Sequence, residues 1–242
     1  MKDQMLQALL EARQARRPVV LVTRLDSGQQ TLISPDSEAS ALGISEAILR
    51  AAQLVLQEDR TELLETELGP VFFHVFNPPL KMIIVGAVHI AQCLVPMAQL
   101  TGYQVVVVDP RRRFATTQRL ADVEVLAEWP QTAFGKLILD NRTAVITLTH
   151  DPKLDDAALH LALTSSVFYI GSLGSRRTHA ARLKRLARAG LREKDLARIH
   201  APVGLSLGGR SPAEIAVAIL AEVIQVRYAD RRSTEQPGER LS

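Results

Sequence analysis

Between residues 82 and 170 short apolar runs alternate with longer segments whose apolar positions fall three and four apart. The runs at 82–85, 104–109, 123–126, 144–149 and 166–170 read as strands, and the segments at 90–100 and 154–163 as helices. Strands that are apolar throughout and separated by helices predict a parallel sheet covered on both faces. Helical composition continues over 176–189. A last helix starts at Ser211-Pro-Ala-Glu214, a capping box with proline at the first helical position. Pro96 falls inside the 90–100 segment and predicts a kink or an early end there. The first 77 residues have a different pattern: helix 3–15, strands 19–24 and 30–34, helix 37–58, and two short strands ending at Phe76. Asn77-Pro78-Pro79 interrupts both kinds of periodicity. The expected organisation is a small N-terminal α/β domain over 1–77, an α/β domain over 78–230, and a disordered tail over 231–242, which lacks apolar content.

Composition narrows the class. With 47% hydrophobic residues in 242, the chain can build a substantial core. No apolar run nears the roughly 20 residues that span a bilayer, and the first 18 residues lack the apolar stretch of a secretion signal. A cytoplasmic protein without a membrane partner is expected. The single cysteine, Cys93, excludes an intrachain disulfide and a thiolate metal cluster, and its helical spacing with Ile90, Leu94 and Met97 suggests a buried structural thiol. Net charge is +3 but uneven, because residues 1–77 hold seven Lys or Arg against eleven acids, leaving +7 for the remainder. Residues 176–198 alone carry nine Lys or Arg and two acids, a stretch suited to phosphates or an acidic partner. Nucleic acid is not expected, since no aromatics interleave with it.

Three constellations carry candidate chemistry. Gly86-Ala87-Val88-His89 follows a strand and opens a helix, and Asp109 ends the next strand. That is the context of a dinucleotide-binding, Rossmann-like βαβ unit, with Asp109 suited to a ribose hydroxyl and the following Pro110-Arg111-Arg112-Arg113 to a phosphate. Val88 and Ala91, however, stand where the fingerprint has its second and third glycines. His150 and Asp151 end a third strand, where they could transfer a proton or orient a ligand. The stretch Tyr169-Ile-Gly171-Ser172-Leu-Gly174-Ser175-Arg176-Arg177-Thr178 reads as a strand-to-helix turn built for an anion, with glycines allowing close approach, helix N–H groups facing outward and two arginines supplying charge. No nucleophile–base order and no metal-ligand spacing is evident. The residues leave open an NAD(P)-dependent oxidoreductase, a cofactor-binding factor, or a module docking an acidic partner.

The motifs Thr147-Leu-Thr-His-Asp-Pro-Lys-Leu-Asp155, Tyr169 to Thr178, Ile199-His200-Ala-Pro-Val-Gly-Leu205 and Ser211-Pro-Ala-Glu-Ile-Ala-Val217, in that order, resemble the xanthine dehydrogenase accessory factor family, XdhC/CoxI, over roughly residues 81–226. The resemblance implies a Rossmann-like domain and a role in maturing molybdenum hydroxylases of the xanthine or carbon monoxide dehydrogenase type. Such a factor binds the molybdenum cofactor as cargo, shields its sulfurated form and delivers it to the apoenzyme. It also implies that His89, His150 and His200 line the pocket, with a cysteine desulfurase and a second copy of the chain as further candidate partners. Two departures stand out: the family usually shows Gly-Ala-Gly-His where this chain has Gly86-Ala87-Val88-His89, and its longer members carry a cysteine-glycine-glycine motif, whereas residues 1–77 hold no cysteine.

Overall fold

The computed structural model describes residues 3–111 and 123–229, so Arg112, Arg113 and the expected tail over 231–242 lie outside the described residues. The chain forms two compact units, Met1–Pro78 and Pro79–Ser242. In the first, α1 (Asp3–Gln14), β1 (Val19–Arg24), β2 (Gln30–Ile33), α2 (Ala39–Leu42), α3 (Glu46–Glu58), β3 (Glu62–Thr66) and β4 (Gly69–Phe76) follow one another. The strands form an antiparallel sheet in the order β2-β1-β4-β3. Val20, Val22, Ile33, Val71 and Phe73 meet Ile48, Ala52 and Val55 of α3 in its core. The single helix expected over 37–58 is broken in two. Gly43 ends α2 in a left-handed conformation (φ 63°), and Ser45 starts α3 by accepting a hydrogen bond from the Ile48 N–H.

The second unit comprises β5 (Leu80–Val85), α4 (His89–Leu100), β6 (Tyr103–Val108), β7 (Glu124–Leu126), α5 (Pro130–Phe134), β8 (Thr143–Thr147), α6 (Pro152–Leu163), β9 (Tyr169–Ser172), α7 (Arg176–Arg188), α8 (Glu193–Leu196), β10 (Ile199–His200) and α9 (Pro212–Arg227). All six strands run parallel in the order β10-β9-β8-β5-β6-β7. Numbered from β5, this is the 3-2-1-4-5-6 order of a dinucleotide-binding fold, which reverses between β5 and β8. Alternate residues of each strand enter two cores. Met82, Ile84 and Ile146 pack with Leu94 of α4 and Ile219 and Val223 of α9, while Ile83, Val85 and Val145 pack with Phe134, Leu159 and Leu186. Each such fully buried side chain contributes about 1.5–3 kcal/mol, so both faces must be covered and the expected parallel sheet results.

Two local expectations change. Helix α4 does not stop at Pro96 but continues to Leu100. Burial of Leu94, Val95 and Ala98 holds it against the roughly 3 kcal/mol that an interior proline costs. Strand β9 begins and ends later than the apolar run predicts, so that Gly171 and Ser172 belong to the strand and the turn proper is Leu173, Gly174 and Ser175.

Candidate functional site

The carboxyl ends of β5, β6, β8, β9 and β10 share one edge of the second sheet, where open α/β folds bind ligands. At β5 and β6 the residues are tied to each other. Asp109 is fully buried; its Oδ2 accepts from the Ala87 N–H (2.9 Å) and Arg111 Nη2 (2.8 Å), and its Oδ1 from the Arg111 backbone N–H (3.0 Å) and Nε (2.9 Å). Burial presses this carboxyl upward, but the Arg111 and Ala87 donors outweigh it and hold it below its ordinary value. Gly86 is buried and donates its N–H to Val108. Val88 caps α4 with an ordinary extended backbone (φ −89°), and His89 is exposed on the first turn.

Between β8 and β9 lies a buried polar cluster. Thr147 and Ser172, adjacent in the strand register, join hydroxyls at 2.5 Å. Thr149 donates to Asp155 Oδ1 (2.6 Å) on α6. Asp155 stands 3.8 Å from Nη2 of Arg182 on α7, and both are about 2% exposed. Desolvation raises the Asp155 carboxyl to about 6 against the pull of Thr149 and Arg182, and the same desolvation lowers Arg182. Arg182 Nη2 donates to the Leu173 carbonyl (2.8 Å), while its Nε and Nη1 are buried without a partner. An unsatisfied buried donor costs about 1–3 kcal/mol.

Above this cluster runs the β9–α7 turn. Gly174 takes φ +139°, a conformation that a side chain would strain, and Ser175 caps α7 by accepting from the Thr178 N–H (3.2 Å). The N–H groups of Arg176 and Arg177 have no intrahelical acceptor. Among the described residues the ion pairs of α7 belong to Arg182 and Arg185, the latter bidentate with Asp156, whereas Arg176 and Arg177 stand exposed on the first turn. His150 is also exposed; Asp151 caps α6 by accepting from the Lys153 N–H (2.9 Å).

His200, paired in register with Gly171, belongs to a second cluster on the opposite face. Its ring stacks on Tyr169 (centroids 4.8 Å apart), and its Nδ1 lies 3.4 Å from Glu222 Oε1. Glu222 Oε2 accepts from the Tyr169 hydroxyl (2.5 Å) and the Gly204 N–H (2.8 Å). Burial raises Glu222, but donors at His200, Tyr169 and Gly204 hold it below its ordinary value; burial and the same carboxylate push the Tyr169 hydroxyl up. Gly171 makes room for this stack: a Cβ there would lie 2.8 Å from the Tyr169 ring and 2.6 Å from Val203. The edge therefore joins Gly86, Ala87, Asp109 and Arg111 in one group and Gly174 to Arg177 with Arg182 in another. Arg182 and Glu222 carry no site role in the sequence reading, and Asp155 and Tyr169 enter it only as ends of motifs.

Among the described residues no group of three or more His, Cys, Asp or Glu could hold a metal ion, and no helix is long and apolar enough to cross a membrane. Cys93 is half-buried and packs against the α4–α9 core.

A molybdenum cofactor insertion chaperone of Escherichia coli (strain K12), PaoD, is 32% identical over 152 residues, covering 63% of this chain and 42% of that protein. A relative from Bacillus subtilis (strain 168), named as a probable component of xanthine dehydrogenase, is 29% identical over 161 residues, covering 65% and 46%. The chain thus matches less than half the length of these relatives. A solved structure titled as a xanthine dehydrogenase from Bacillus halodurans superposes with a TM-score of 0.68 over 96% of this chain and 69% of that one, and at 23% identity the likeness speaks for the fold. The model of the XdhC Rossmann domain matches residues 82–223. On that match, which takes in more than half of its residues, the chain belongs to the XdhC family.

Proposed function

We propose that this chain serves the maturation of molybdenum hydroxylases by holding the molybdenum cofactor, in its sulfurated form, for delivery to the apoenzyme. The observation that carries the reading is the β9–α7 turn, where the exposed Arg176 and Arg177, with N–H groups that have no intrahelical acceptor, open α7 directly after the left-handed Gly174 and its cap Ser175. Molybdopterin ends in a phosphate and carries an anionic metal group, and an arginine fork beside a helix N-terminus is the arrangement that such anions need. The buried donors of Arg182 beneath the turn fit the same charge. A relative named for molybdenum cofactor insertion supports the assignment. Of the histidines expected to line the pocket, His89 and His150 stand exposed at the ends of β5 and β8, while His200 is engaged by Tyr169 and Glu222 on the opposite face. Changing Arg176 and Arg177 together to Ala is expected to weaken molybdopterin binding by about a hundredfold, as loss of two charge-assisted contacts implies, with an unchanged melting temperature. Equilibrium binding by fluorescence checks it, and unaltered affinity would remove the turn from the site.

A dinucleotide-dependent oxidoreductase is the weaker reading. Asp109, the residue that would meet a ribose hydroxyl, already accepts hydrogen bonds on both oxygens and is closed to solvent.

A further inference from the structure

Arg182 has five N–H donors in a place that satisfies few of them. Nη2 reaches the Leu173 carbonyl, Nε and Nη1 are buried without partners, and the carboxylate of Asp155 stays at 3.8 Å, beyond hydrogen-bond reach. A buried charge with unmet donors is destabilising where an apolar side chain would serve the helix as well, so its presence calls for a ligand. Its position names the ligand's charge. The carbonyl that Arg182 holds belongs to the residue before Gly174, and Nη2 lies 3.6 Å from where a side chain on Gly174 would begin. An anion occupying the space beside Gly174 would lie within contact range of Nη2. In so desolvated a setting attraction across that distance is strong.

We propose that Arg182 is the inner contact of the anion site at the β9–α7 turn, and that Asp155 is its resting counter-ion, displaced when an anion binds. The proposal rests on the turn being the place of the cofactor's negative end, but concerns any tetrahedral oxyanion there. It carries a proton signature. Asp155 is faced by Thr149 from the end of β8, by Arg182 and Arg185 from α7, by Asp156 on its own helix and by Arg111 from the end of β6; His179 lies beside Arg182. Arg182 is one of the groups that keep the carboxyl from rising beyond about 6. An anion that draws the guanidinium's charge to itself removes that restraint, so Asp155 rises further and takes up a proton near neutral pH.

The test is calorimetric titration of the full chain with orthophosphate, with sulfate and with molybdopterin, each in two buffers of different ionisation enthalpy; sulfate keeps its charge near neutral pH, so its titration counts the protons that the protein takes up on binding. Arg182→Met combined with Asp155→Asn removes both charges, so neither is left buried alone. This double variant is expected to fold, to bind orthophosphate about tenfold more weakly, and to take up no proton with sulfate. Asp155→Asn alone keeps the hydrogen bond from Thr149 and leaves Arg182 uncompensated; it is expected to bind a few-fold tighter, again without proton uptake. Wild-type affinity in the folded double variant, or proton uptake with sulfate that persists in Asp155→Asn, overturns the proposal. If the double variant does not fold, the single variant decides. Binding of orthophosphate through Arg182 without binding of molybdopterin would sink the cofactor reading and keep the anion site. Full affinity in the double variant beside loss in Arg176→Ala with Arg177→Ala would do the reverse, and wild-type protein that binds none of these probes overturns both.

Discussion

Asp155 makes the stability of this protein depend on pH in a direction opposite to that of most aspartates. Its folded value, about 6, lies above the ordinary 3.8, so the folded state holds the proton more tightly. The stability this contributes is fully present below the ordinary value and is lost as pH rises through about 6. Urea unfolding from about pH 3.5 to neutral pH should therefore show the wild type losing about 2–3 kcal/mol relative to Asp155→Asn, as a displacement of roughly two pH units implies; parallel curves would show that the carboxyl titrates alike in the folded and unfolded chain. Neither Asp155 nor Arg182 stands out in the sequence. A charged residue reads there as a solvated one, and only folding of α6 against α7 brings the two together. Glu222, 53 residues from the tyrosine it binds, is hidden for the same reason. Gly174, Arg176 and Arg177 were legible because the turn that uses them is local.

Elements were legible where a hydrophobic period was long enough to see. The parallel sheet follows from five apolar runs between helices, whereas β10, with two residues, and α5 and α8, with five and four, are too short to show a period. Strand ends are hard to place where a strand continues into small or polar residues, as β9 does at Gly171 and Ser172. That shift gives Gly171 a packing role in place of the expected turn role. It lets β9 pass beneath the Tyr169 ring and beside Val203 of the β10–α9 connection, leaving 2.6 Å to Val203 Cγ2 and 2.9 Å to the Tyr169 hydroxyl for any added Cβ. Gly171→Ala should accordingly destabilise the protein by about 1–3 kcal/mol through overpacking, read from chemical denaturation. An unchanged midpoint would mean that the Tyr169 stack yields freely.

At the scale of the molecule, the two units differ in charge as well as in architecture, with −4 on residues 1–77 against +7 on the rest. Every residue assigned to the anion site, and the whole match to the XdhC Rossmann domain, belongs to the second unit. Residues 79–242 expressed alone are thus expected to fold cooperatively and to bind orthophosphate within about twofold of the full chain, since additivity holds for separate units; a much weaker affinity, measured by the same titration, would show that residues 1–78 complete the site. The clamp of Arg111 on Asp109 matters at this scale too. In a fold with this strand order the acid at the strand end is the group that meets a dinucleotide's ribose. With both oxygens of Asp109 already engaged by Ala87 and Arg111, a dinucleotide would have to break those bonds before the carboxylate could hold its ribose, and under the proposed function the clamp would act as discrimination against the usual guest of this fold.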